Sequence, residues 1–84
     1  MKPIGKVIHY YGKPGVAIIR LEDTLNIGDR IRFEKGEITF DQQVTSIQKE
    51  YKDIEMAQKG DEVGVKVDQK IHDGALVVRL EEGE

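Results

Sequence analysis

The sequence predicts an all-β domain, a small closed antiparallel-type barrel of six strands, and three observations carry that expectation. Helical periodicity is nearly absent, β-branched residues fall in short runs, and Gly, Pro and Asp separate the runs at the spacing of a barrel or sandwich. The chain has 84 residues and no cysteine. A domain of that size buries only about 60% of the surface its unfolded chain exposes. Packing and backbone hydrogen bonds must therefore suffice without disulfides or a thiolate zinc site. One domain over 1–80 is expected, with the acidic residues 81–84 as a frayed tail.

The first strand runs from Ile4 to Tyr11 and ends at Gly12-Lys13-Pro14-Gly15, where two glycines can take positive φ and a proline has its φ preset. Tyr10 and Tyr11 must point to opposite faces, one ring to the core and one outside. Val16 to Glu22 returns as the second strand. Arg30 to Glu34 alternates Ile31 and Phe33 inward with Arg30, Arg32 and Glu34 outward. Lys35-Gly36 turns the chain into a long strand from Ile38 to Glu50, with Gln42 and Gln43 on its solvent side. Val44 and Ile47 are three apart and cannot share a face without an extra residue, so a bulge is expected near Thr45-Ser46. Ile54 and Met56 make a short fifth strand with Met56 in the core, and Val63, Val65 and Val67 alternate in a sixth. An Asp73-Gly74 turn then leads into Leu76, Val78 and Leu80, which close the barrel or extend the sheet.

One phrase occurs twice. "LNIGDRIRF" at 25–33 is echoed by "AQKGDEVGVKV" at 57–67, and the Gly-Asp pairs, 28–29 and 60–61, stand 32 residues apart. Glycine reaches a backbone conformation closed to other residues, and the Asp carboxylate accepts hydrogen bonds from nearby amides, so each pair makes a corner before a strand. Neither opens a helix, which weighs heavily against phosphate binding.

Composition narrows the function. Thirteen Lys and Arg against sixteen Asp and Glu give a net charge of −3, so any nucleic-acid contact must be local. No stretch is long enough for a signal peptide or membrane span, which points to a soluble, cytoplasmic protein with no membrane partner. His9 and His72 are the only imidazoles, and the acids form no paired-carboxylate constellation. Neither a nucleophilic triad nor a metal site is expected, and the protein is read as a binding module that is not an enzyme and needs no cofactor.

Two surfaces are candidates for that binding. Arg30 and Arg32 on the outer side of their strand, Lys35 at its turn and Lys49 on the strand after it would gather into a basic patch if those strands pair as a hairpin. Glu34, Glu37, Glu50 and Asp53 lie nearby in sequence and would convert it into a salt-bridged, solvated face. The second surface comes from a resemblance.

"GVAIIRLEDTLNIGDRIRF", then "VTSIQ", then "AQKGDEVGVKV" resemble in order and spacing the second-domain β-barrel of the translational GTPases, as in elongation factor Tu, over about residues 5 to 80. The resemblance implies a stand-alone module without the GTPase domain. No phosphate loop is present and no GTP binding is expected. In that family the equivalent segments help to hold the aminoacyl end of tRNA, which singles out Ser46, Ile47 and Glu62 here, although the Glu62 carboxylate would repel a phosphate. Similar barrels are also appended to collagenase-like peptidases linked to tRNA modification. The functional expectation is a module of translation or tRNA metabolism that docks RNA, tRNA included, or an RNA-bound protein. The alternative is an accessory subunit that docks on a partner protein, such as a peptidase-like or RNA-modifying enzyme, without touching RNA. Oligomeric state is left open.

Overall fold

The computed structural model describes residues 3–80; the predicted tail, 81–84, lies outside them. The chain is all-β and antiparallel throughout. Its strands are β1 (Pro3–Tyr11), β2 (Val16–Leu21), β3 (Leu25–Asn26), β4 (Arg30–Lys35), β5 (Ile38–Gln43), β6 (Ile47–Lys49), β7 (Lys52–Ile54), β8 (Met56–Ala57), β9 (Glu62–Lys66) and β10 (Leu76–Leu80). Eight form one sheet in the order β5-β4-β10-β1-β2-β9-β6-β7, and β3 pairs with β8 separately.

The closed six-stranded barrel is therefore corrected to an open sheet with a two-stranded ladder beside it. The end strands β5 and β7 do not pair. From β5, Gln42 reaches the end of β9: it donates from Nε2 to the Lys66 carbonyl at 2.8 Å and accepts from the Asp68 amide at 2.9 Å. Gln42 is 6% exposed, so its expected place on the solvent side is also corrected. Buried backbone groups need partners, and this amide satisfies one acceptor and one donor just beyond β9.

The core is built as the alternation requires in most strands. Ile19, Leu21, Ile31, Phe33, Val63 and Val65 are buried, and Phe33 packs on Phe40 with ring centroids 5.0 Å apart. Tyr10 packs against this core while Tyr11 is 50% exposed, as the expected split requires. The long strand from Ile38 to Glu50 is broken rather than bulged. β5 ends at Gln43, residues 44–46 are irregular, and β6 begins at Ile47, which lets Val44 and Ile47 both face inward. In β10 the alternation is incomplete: Val77, paired with Gly5 and Phe33, and Val78 are both buried, Ala75 just before the strand enters the core, and Leu76 is outside. Met56 is 49% exposed, because its β8 partner Ala57 is the residue that faces inward.

Both corners form as expected. Gly28 and Gly60 have φ of 95° and 93°. The Asp29 carboxylate accepts from the Asn26 amide and the Asp61 carboxylate from the Gln58 amide, each at 2.9 Å. Each corner also brackets a strand end: Gly28 donates to the Val44 carbonyl and Asp29 accepts from the Val44 amide, while Gly60 and Asp61 do the same to Leu21. β3 and β8 pair Leu25 with Ala57, positions that are equivalent in the two copies of the phrase. The repetition in sequence is thus an approximate two-fold repetition in space.

Candidate functional site

The structure separates Lys49 from the other three residues of the basic face. Arg30, Arg32 and Lys35 lie on β4, which pairs with β5 and β10, whereas Lys49 lies on β6 with β10, β1, β2 and β9 between them. Arg32 is clamped by Asp41, with Nε to Oδ1 at 2.7 Å and Nη2 to Oδ2 at 3.1 Å. That bond raises the Arg32 pKa and holds Asp41 below the ordinary carboxylate range. Lys49 donates to Asp61 at 2.9 Å, which raises its own pKa. Asp61 is lowered first by the Gln58 amide and then by Lys49. Arg30 remains exposed. Paired cations on a solvated face add little stability and leave little charge for a polyanion.

Ser46, Ile47 and Glu62 are divided between two concavities. Ser46 and Ile47 line a shallow cleft of about 420 Å³ with Ile27, Thr45, Asp53, Ile54 and Glu55. Ile47 itself is 1% exposed and contributes mostly to the core. Ile27, at 42% exposure, and Met56 on the neighbouring ladder put apolar surface beside this cleft.

Glu62 belongs to a second hollow of about 420 Å³, on the outer face of β1, β2, β9 and β6. Cross-strand pairing explains its floor. Gly64 is opposite Ile18 on one side and Gln48 on the other, so a residue without a side chain sits in the middle of a row of larger ones. A Cβ there would lie 3.0 Å from Val16 Cγ1 and 3.5 Å from Ile18 Cδ1. Tyr11 and Pro14 form one wall, and Glu50 and Tyr51 the other. His9 braces Tyr11 edge-to-face, centroids 4.3 Å apart.

The Glu50-Tyr51 wall is a two-residue hairpin between Lys49 and Lys52 that the sequence reading did not contain. Both residues have positive φ, 52° and 67°, as a type I′ turn requires, and neither is the glycine or asparagine that turn favours. The Tyr51 ring is fully exposed. Gly64 and the Gln42 amide were missed as well. The alternation of Phe40, Gln42 and Val44 was a usable signal for the second of these.

Among the described residues no group of three or more His, Cys, Asp or Glu could hold a metal ion, and His9 and His72 are exposed and far apart in sequence. Among the described residues no helix is long and apolar enough to cross a membrane.

Comparison with known proteins redirects the family expectation. No family model matches the sequence. An uncharacterised protease of Methanocaldococcus jannaschii is 41% identical over 81 residues, covering 94% of this chain, and the chain spans about 20% of that protein's length. The fold matches crystal structures of the C-terminal domain of a Geobacillus thermoleovorans protein assigned to the U32 peptidases. The native form gives a TM-score of 0.89 at 22% identity, covering 95% of this chain and 93% of that one. Its selenomethionine variant gives 0.87 at 22%, covering 93% and 99%. The resemblance to the second domain of translational GTPases is thereby corrected, and with it the assignment to translation and elongation-factor-like function. The segments that carried the resemblance are the two Gly-Asp corners with the strands they introduce and Val44 to Gln48, short local patterns that unrelated β folds can share.

Proposed function

We propose that the chain is a noncatalytic accessory domain of a U32-type peptidase, docking protein on protein without RNA. The observation that carries this reading is the 41% identity along nearly the whole chain to one fifth of a much longer protease. A unit of that kind has the rest of the protein, or a separately encoded counterpart, to lean on. For docking, the cleft at Ser46 with Ile27 and Met56 is the better suited surface, because exposed apolar side chains beside a concavity are what a protein interface uses.

The test is reconstitution. The Methanocaldococcus jannaschii relative, with its matching segment deleted, is mixed with this domain and followed by sedimentation. A one-to-one complex is expected, with an affinity that falls only shallowly with salt. Ile27→Lys with Met56→Lys should abolish it while the domain stays folded. Absence of a complex would reject docking, a steep salt slope with ribonuclease sensitivity would return RNA to the interface, and peptide cleavage by the isolated domain would reject the noncatalytic role.

A further inference from the structure

We propose that the hollow over Gly64 is a binding site for a basic side chain, arginine foremost, presented by a polypeptide. This site lies beyond the docking face, shares no lining residue with the Ser46 cleft, and does not depend on it.

The side chains lining the hollow include two carboxylates and one carboxamide, and no Lys, Arg or His. Arg20 donates from Nε and from Nη2 to Glu62 Oε2, at 3.0 and 2.8 Å, and Glu62 Oε1 takes no hydrogen bond from the other described residues. Gln48 donates from Nε2 to Asp53 at 3.0 Å, so its Oε1 is left to accept. The Glu50 carboxylate makes no ion pair with the other described residues. The charged residues lining the hollow are these two glutamates, and the Arg20 guanidinium reaches its rim through Glu62, so the carboxylates outnumber the cation there by one. A phosphate or carboxylate ligand would meet like charge, whereas a cation with several N–H groups would meet partners.

The apolar parts select among cations. Val16, Ile18 and Pro14 give an aliphatic stem something to pack on, and Gly64 leaves room for it. Tyr11 and Tyr51 stand on opposite walls and offer ring faces to a cation between them. A guanidinium is planar, carries five donors and stacks on aromatic rings, so it fits several fixed acceptors better than an ammonium does.

The experiment titrates the isotope-labelled full chain with a blocked Gly-Arg-Gly peptide and with its citrulline and norleucine counterparts, reading amide shifts. The arginine peptide should saturate with shifts centred on Ile18, Gln48 and Gly64, and the citrulline peptide should bind at least about tenfold more weakly, since it keeps the shape and loses the charge. Glu62→Gln and Tyr51→Ala, both at exposed positions, should each weaken the arginine peptide by about three- to tenfold with the remaining spectrum unchanged. Equal binding of citrulline, shifts confined to another face, or no saturation up to about 10 mM would overturn the site. None of these outcomes bears on the reconstituted complex, so the two readings fail separately.

Discussion

Among the turns that hold the backbone at positive φ, two sets are built from opposite chemistry. At Gly28-Asp29 and Gly60-Asp61 the glycine takes a φ above 90° and the aspartate closes the corner on an amide three residues back. At Glu50-Tyr51 two residues with large side chains occupy the left-handed region, where each is strained by roughly 1 kcal/mol or more. Asn-Gly would make the same hairpin without that strain. The corners are thus explained by the fold, and the hairpin is not. What the hairpin retains through its strain is a fully exposed tyrosine and an acid on the rim of the hollow, and strain held at a displayed residue is a pointer to function.

The largest effect belongs to the corners. Gly28→Ala and Gly60→Ala should each destabilise by about 1–3 kcal/mol in denaturant unfolding. A Cβ at Gly60 would meet nothing within 4 Å and one at Gly28 only the Gln43 amide at 4.0 Å, so the loss comes from the backbone conformation alone. The two values should agree closely, because the corners share their hydrogen bonds. Unchanged melting of both variants would show that these glycines are not required by φ.

The hairpin should respond with the opposite sign. Glu50→Asn with Tyr51→Gly should raise stability by about 1–2 kcal/mol through relief of the two positive-φ residues, and should remove binding of the arginine peptide. A gain in stability with binding intact would separate the strain from the hollow. No gain would show that the hairpin is not strained.

The same contrast explains what could be read from sequence. The corners were legible because glycine and aspartate carry their whole chemistry within four residues, and β4 was legible because Ile31 and Phe33 alternate with charges. The hairpin was not, since Glu-Tyr has no turn signature and only its neighbours on β9 and β7 fix it. The burial of Gln42 depends on partners 24 and 26 positions away, which no local pattern reports. In β10 Val77 and Val78 are both buried while Leu76 is not, an outcome of the long-range pairing with β1 and β4 that alternation alone does not report. The site suffered most. Gly64 matters through what stands beside it on β2 and β6, and the family motifs that directed attention to Ser46, Ile47 and Glu62 were short local patterns that unrelated β folds can share.

The smallest effect distinguishes the two corners from each other. Asp61 has Lys49 as its ion-pair partner at 2.9 Å, while Asp29 is approached by Arg79 at 3.6 Å. The Asp61 pKa lies below its ordinary value, through the Gln58 amide first and Lys49 second. A depressed carboxylate pKa means that the folded state binds the proton less readily than the unfolded one. Its contribution to stability is therefore present above the unfolded pKa and is lost as pH falls through the folded one. Melting temperature should drop between about pH 5 and pH 2, with Asp41 contributing in the same direction. Asp61→Asn should lower stability near neutral pH and flatten that acid limb. Lys49→Met should leave most of the limb in place, because the backbone amide remains. If Lys49→Met flattens it as fully as Asp61→Asn does, the ion pair and not the corner hydrogen bond holds the proton off Asp61, and the two corners differ more than their shared backbone suggests.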